Sequence, residues 1–89
     1  MPQRAYRVRG GVQGVGFRWW TRSQAQALGI NGSVRNCADG SVEVQMSGEA
    51  GSLQTLVDLL RHGPPGAHVA SVEPIEPDST GITGFRIER

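Results

Sequence analysis

Lysine is absent from this 89-residue chain; all nine basic residues are arginine. That excludes Schiff-base chemistry and any Walker-type phosphate loop, which needs a Gly-Lys-Ser/Thr. Cysteine occurs once, as Cys37, so no disulfide can staple the fold. With no secretory signal either, the chain reads as cytosolic. No apolar run approaches the ~20 residues that a membrane span needs. No pair of His, Cys, Asp or Glu residues has the spacing of a metal site, and neither metal nor cofactor is expected. A net charge of +1 provides no large basic field, so indiscriminate binding to nucleic acid or membrane is not suggested. The length allows one domain over residues 1–89 with one modest core, and a monomer is the default expectation.

Glycine is plentiful, and its distribution is informative. Four glycines crowd into Gly10 to Gly16 of the stretch Gly-Gly-Val-Gln-Gly-Val-Gly-Phe-Arg, which ends at Arg18. Glycine leaves backbone N–H groups unshielded and permits dihedrals that other residues avoid, so such a loop can wrap an anion. A strand-like run precedes it (Ala5 to Val8) and a helix-like run follows (Trp19 to Leu28), which aims a helix N-terminus at whatever the loop holds. The spacing of Gly11, Gly14 and Gly16 is not that of a dinucleotide fingerprint. A glycine-rich loop can equally be a tight connection. Arg18 tips the balance, because a cation in the first helical turn opposes the macrodipole at a cost of a few tenths to ~1 kcal/mol. An anion held between loop amides and a guanidinium would offset it. Arg22, one turn on, reads as a solvated arginine outside the site.

Asn36, just before the Cys37-Ala38-Asp39-Gly40 turn, has two readings. It is either a turn-favouring asparagine or an uncharged amide that holds a water beside the bound anion. A phosphocysteine mechanism would need cysteine and arginine bracketing one loop; Cys37 reads instead as an inert or merely oxidisable thiol. His62 and His68 read as solvated.

The remaining elements follow from periodicity. Tyr6 and Val8 alternate with Arg7 and Arg9 in a first strand over Ala5 to Gly10. The first helix, Trp19 to Leu28, ends at Gly29, a C′ residue. Ile30 to Asn36 is a short extended run. Asp39-Gly40 signals a hairpin, and Ser41 to Ser47 alternates with Val42, Val44 and Met46 on one face. Leu53, Leu56, Val57 and Leu60 mark an amphipathic helix over Gly51 to His62, stopped by Gly63-Pro64-Pro65-Gly66. Val69 to Glu76 and Phe85 to Glu88 are further strands, separated by a loop over Pro77 to Gly84. The order is β-α-β-β-α-β plus a short C-terminal strand. That predicts an α+β, ferredoxin-like sandwich, with two right-handed crossovers placing both helices on one face of a mixed, mostly antiparallel sheet. The other face is expected to be open to water. Fold alone does not give function.

Gly11-Val-Gln-Gly-Val-Gly-Phe-Arg18, and Gly32-Ser-Val-Arg-Asn36 followed by Asp39-Gly40-Ser41-Val42-Glu43, closely resemble the two signature motifs of the acylphosphatase family. The likeness extends over nearly the whole chain, including Leu59 to Ala67 and the closing Gly84 to Arg89. The resemblance implies the same sandwich and hydrolysis of acyl phosphates to a carboxylate and phosphate. It makes Arg18 the arginine that binds the phosphoryl group and Asn36 the residue that orients the attacking water. The loop amides, Gly11, Val12, Gln13, Gly14 and Val15, complete the cradle. Family members commonly have a large aromatic where Ser33 stands, which implies looser packing at that strand.

The chemistry agrees with the resemblance. A phosphate monoester leaves as a basic alkoxide and usually needs a general acid, a metal or a covalent nucleophile. The two motifs offer no His, no catalytic Cys-Arg loop and no metal cluster. An acyl phosphate leaves as a weakly basic carboxylate, so positioning and charge stabilisation suffice. The base for the water is then a phosphate oxygen of the substrate; Asp39 and Glu43 read as turn and strand-surface residues. Two other classes stay in view. One is an anion-binding module without turnover, or a carbamoyl-phosphate-handling domain of a larger maturation enzyme. The other is an RNA-binding sheet, which would need stacking aromatics, whereas the first strand has only Tyr6.

Overall fold

In the computed structural model the described residues are 2–78 and 83–88. The elements run β1 (Gln3–Gly11), α1 (Phe17–Ala27), β2 (Asn31–Asn36), β3 (Val42–Ser47), α2 (Ala50–His62), β4 (His68–Ile75) and β5 (Phe85–Glu88). The five strands form one sheet in the order β4-β1-β3-β2-β5. β3 is central and antiparallel to both β1 and β2, and β4 is antiparallel to β1. β5 adds in parallel at the far edge, beside β2. This is the expected βαββαβ sandwich with its extra strand. Residues 79–82 of the expected Pro77–Gly84 loop lie outside the described residues.

The core forms where the strand period of two meets the helix period of 3.6. Val8, Val34, Val42, Val44 and Met46 point from the sheet toward Phe17 and Ala25 of α1 and Leu53, Leu56, Val57 and Leu60 of α2, all of them buried. Fully burying each of these side chains, Ala25 apart, contributes about 1.5–3 kcal/mol. Helix α1 begins at Phe17, two residues before the sequence-based boundary. Phe17 is 2% exposed and shares a face with Thr21 and Ala25, so core packing extends the helix back to the glycine loop. Its ring meets Trp20 at 5.6 Å between centroids, tilted by 57°. Gly29 closes α1 with φ 69°, as a C′ glycine should. No described helix is long and apolar enough to cross a membrane.

The second face of the sheet departs from expectation. It is not simply open to water: Ala5 and Ser33, which alternation places there, are 2% and 4% exposed. The segment after β4 reaches back over this face, where the Asp78 N–H donates to Gln45 Oε1 at 2.9 Å. Ser33 is therefore enclosed despite its small side chain. The same face carries a row of alternating charge across all five strands. Strand register sets Glu73, Arg7, Glu43, Arg35 and Glu88 side by side. Glu43 accepts hydrogen bonds from Arg7 at 3.3 Å and from Arg35 at 3.1 and 3.3 Å. Partial burial opposes ionisation of Glu43, but the bonds from Arg35, Gln45 and Arg7 outweigh it and hold its pKa below the ordinary range.

Gly32, like Gly10 on β1, is a place where the sheet tolerates no side chain. Its φ is +148°, and a Cβ there would lie 1.9 Å from the Gln45 carbonyl oxygen on β3. Gly32→Ala is expected to destabilise the fold by at least about 2 kcal/mol, lowering Tm by roughly 10 °C in thermal melts. Gly51→Ala, in helix α2 with open space around it, serves as the control and should be neutral or stabilising by up to ~1 kcal/mol.

Candidate active site

β1 and β2 flank β3 and run parallel to each other, so both end on the same side of the sheet. Register makes this specific: Val42 pairs with Val8 on one side and with Asn36 on the other. The glycine loop that leaves β1 and the asparagine that ends β2 thus emerge about 10 Å apart, two strand spacings. The loop closes that gap. Gly14, Gly16, Arg18 and Asn36 line one pocket of about 140 Å³, together with Val12, Phe17 and Trp19.

Backbone conformation shapes the loop. Gly14 and Gly16 have φ of 78° and 75°, while no non-glycine residue described has positive φ. Alternating left-handed glycines with ordinary residues turns successive N–H groups toward one side, the geometry of an anion nest. A Cβ at either glycine would meet nothing within 4 Å, so the left-handed backbone alone calls for glycine. Gly16 is also the N-cap of α1 and brings no side-chain acceptor, and the first turn holds no acidic residue. The first N–H groups of the helix therefore face the pocket uncapped, with Arg18 beside them.

The side chains divide the work. Val12 is buried in the core, and Val15 packs against it from the edge, so the loop is anchored at both points. The Gln13 side chain turns away from the pocket and donates to the Cys37 and Ser41 carbonyls at 2.9 and 3.0 Å. It ties the loop to the β2–β3 turn. Gly11 is the last residue of β1, paired with His68 on β4. Gly14, Val12, Arg18 and Asn36 of the expected set thus line the pocket, whereas Gly11, Gln13 and Val15 hold the loop in place around it. Arg18 donates to the Glu88 carbonyl at 3.4 Å, a long bond that leaves most of its fork available. Asn36 Oδ1 is buried without a hydrogen-bond partner among the described residues. Leaving such an acceptor empty costs roughly 1–3 kcal/mol, which a donor entering the pocket would recover.

Cys37 is half-buried and does not line the pocket. Asp39 accepts from both the Ser41 hydroxyl and the Ser41 N–H, and it pairs with Arg9 at 3.1 Å. Asp39, rather than Asn36, is the Asx residue of this turn. The bonds from Ser41, then the one from Arg9, lower the Asp39 pKa to about 2. The Gln13 tie was not visible in the sequence, because its acceptors lie 24 and 28 residues away and are backbone atoms.

A profile of the acylphosphatase family matches residues 4–87. The chain belongs to the acylphosphatase family. It is 48% identical over 81 residues to an acylphosphatase of Treponema denticola, an alignment that covers 91% of this chain and 86% of that protein. The crystal structure of acylphosphatase from Bacillus subtilis matches with a TM-score of 0.93 over all of both chains, at 32% identity. A Coxiella burnetii acylphosphatase structure matches with a TM-score of 0.84 at 36% identity, over 97% of this chain and 90% of that one. The likeness read from the two motifs is therefore that of the whole chain, sheet order and added strand included.

Two outcomes test this geometry. Gln13→Leu removes both bonds to the turn and should weaken inorganic phosphate binding about tenfold in calorimetry, without loss of secondary structure. The lowered pKa of Asp39 fixes the sign of an acid effect: its contribution is present above the ordinary carboxylate range and is lost as pH falls toward about 2. Melts from pH 5 to pH 2 should show a shallower acid limb for Asp39→Asn than for the native chain.

Proposed function

We propose that this chain hydrolyses acyl phosphates to a carboxylate and inorganic phosphate without a metal ion. In this reading Arg18 and the amides of Gly11 to Val15 bind the phosphoryl group, and Asn36 orients the attacking water. The observation that supports it most is the meeting of Arg18, the two left-handed glycines and the unpartnered Asn36 Oδ1 in one pocket.

The phosphoryl oxygens lie among the loop and first-turn N–H groups, with the planar Arg18 fork on two of them. A water donates one hydrogen bond to Asn36 Oδ1, which aims its lone pair at phosphorus. As the water attacks in line, the P–O bond to the acyl carboxylate breaks and the bonding pair leaves with the carboxylate. That group is a weak base and needs no proton. The proton of the attacking water passes to a phosphoryl oxygen. Arginine and amide dipoles are already in place where equatorial charge gathers, so little reorganisation is needed. The same reading makes the protein a cytosolic monomer acting on small acyl phosphates.

Benzoyl phosphate turnover in EDTA is the direct test. Arg18→Ala should lower kcat/KM by about 10³-fold or more, with KM rising. Asn36→Ala should lower kcat by about 10²–10³-fold with little change in KM, and circular dichroism of both variants should match the native chain. Full activity in Asn36→Ala would remove the water-orienting role. Phosphate binding without any hydrolysis would leave an anion-binding module instead.

A further inference from the structure

Asn36 reaches the pocket with its Oδ1 held by no hydrogen bond among the described residues. The position of that oxygen is therefore set from the backbone, by the course of the last residues of β2. On one side these pair with β3, as far as Asn36 against Val42. On the other, the described pairing with β5 stops one residue short, at Arg35 against Glu88. Asn36 thus sits where β2 is paired on one side only. β1, by contrast, is paired with both β3 and β4 at Val8.

One residue before Asn36 the sheet carries a clamp. Arg7 of β1, Glu43 of β3 and Arg35 of β2 stand in one row, and Val8, Val42 and Asn36 stand in the next. Glu43 is the middle of its row, with a side chain only 14% exposed. Its Oε1 accepts from Arg7 at 3.3 Å and from Arg35 at 3.1 Å. Its Oε2 accepts from Arg35 Nε at 3.3 Å and from Gln45 at 3.2 Å. Both oxygens are filled, and Arg35 is held by two bonds rather than one. Such a bidentate pair fixes orientation as well as distance, which a single contact between exposed charges does not. Successive side chains of a strand point to opposite faces. Arg35 on the far face and Asn36 on the pocket face are therefore two arms of one lever, and a roll of β2 about its axis moves both.

We infer that Glu43 is a positioning residue for the hydrolysis: by clamping Arg35 it fixes the roll of β2, and with it the direction in which Asn36 presents Oδ1 to the attacking water. This rests on the hydrolytic reading above and deepens it, because part of the precision of Asn36 then comes from a charge on the opposite face of the sheet. Glu43, which reads from sequence as a strand-surface residue, acts without touching substrate. The phosphoryl group is held elsewhere, by the loop that follows β1 and by Arg18 on α1, and β1 keeps its course through two ladders. Loss of the clamp therefore acts on the water and not on the phosphate. A displacement of ~1 Å at a positioning group can cost about 10²-fold in rate, so even a partial release of the lever is measurable.

The test is a double-mutant cycle of Glu43→Gln with Asn36→Ala, on benzoyl phosphate in EDTA, with inorganic phosphate as the competing inhibitor. Glu43→Gln keeps the size of the side chain and removes its charge and one acceptor oxygen. Rates are taken per folded protein, read by circular dichroism. In the native background the substitution should lower kcat about tenfold and leave the inhibition constant of phosphate within about twofold. In the Asn36→Ala background it should change kcat by less than about twofold, because no amide is left to misplace. A general loosening of the fold, or a field effect of the lost charge on the substrate, would act equally in both backgrounds. Arg35→Lys, which keeps the charge and loses the bidentate fork, should repeat the pattern with a smaller loss; it takes the place of Glu43→Gln in the cycle if that variant does not fold. Equal losses in the two backgrounds, or no loss in either, would overturn the inference and leave the hydrolytic reading standing. Full activity of Asn36→Ala, or no turnover by the native chain, would remove the water-orienting reading and the inference with it.

Discussion

The parallel course of β1 and β2 on either side of β3 is the constraint on which the site depends. Neither strand touches the other; each is held by its ladder to the central strand. A one-residue slip in either ladder would turn Val8 or Val34 out of the core, and burial of these valines forbids that. The same register that buries them puts Asn36 level with Val8, at the strand end where the glycine loop departs. Core packing and site geometry are one requirement here, because the valines that stabilise the sandwich also set the distance from loop to asparagine.

The loop itself is stabilised from outside. Gly14 and Gly16 take left-handed conformations that offer few contacts of their own. Val12 in the core and the Gln13 amide on the β2–β3 turn supply what the loop lacks. A backbone cradle can thus remain open without collapsing onto itself. The helix dipole, the uncapped first turn and Arg18 then make an anion the natural occupant.

Electrostatics divides along the two faces and the end of the sheet. On the face away from the helices, arginines and carboxylates alternate across the strands, and Arg7, Arg9 and Arg35 are each paired with a carboxylate. At the end that carries the site, Arg18 and Arg22 meet no carboxylate among the residues lining the groove between α1 and β5. With a net charge of only +1, the chain has no general positive field. Its positive potential is local, which suits a small anion entering one pocket better than a long polyanion lying across a surface.

By itself the sequence determined the element order and the two helix faces, and it marked Arg18 and Asn36, which the fold brings to one pocket. Those properties are local: alternation, helical spacing and glycine placement are written in neighbouring residues. It also determined that no general acid or lysine is available in the motifs, which narrows the chemistry before any coordinates are known. α1 starts two residues earlier than periodicity predicts, because Phe17 joins the helix through packing against strands far away in sequence. The second sheet face is partly covered, against expectation, because the chain around Asp78 reaches back to Gln45. Only the tertiary structure decided that Gln13 braces the loop with its side chain and that Asp39 rather than Asn36 satisfies the turn. Each of these depends on residues 2 to 28 positions apart meeting at one end of the sheet. The shorter of these could not be told from its rivals by spacing, and the longer ones leave no periodic trace, because their partners are brought together only when β3 is paired on both sides.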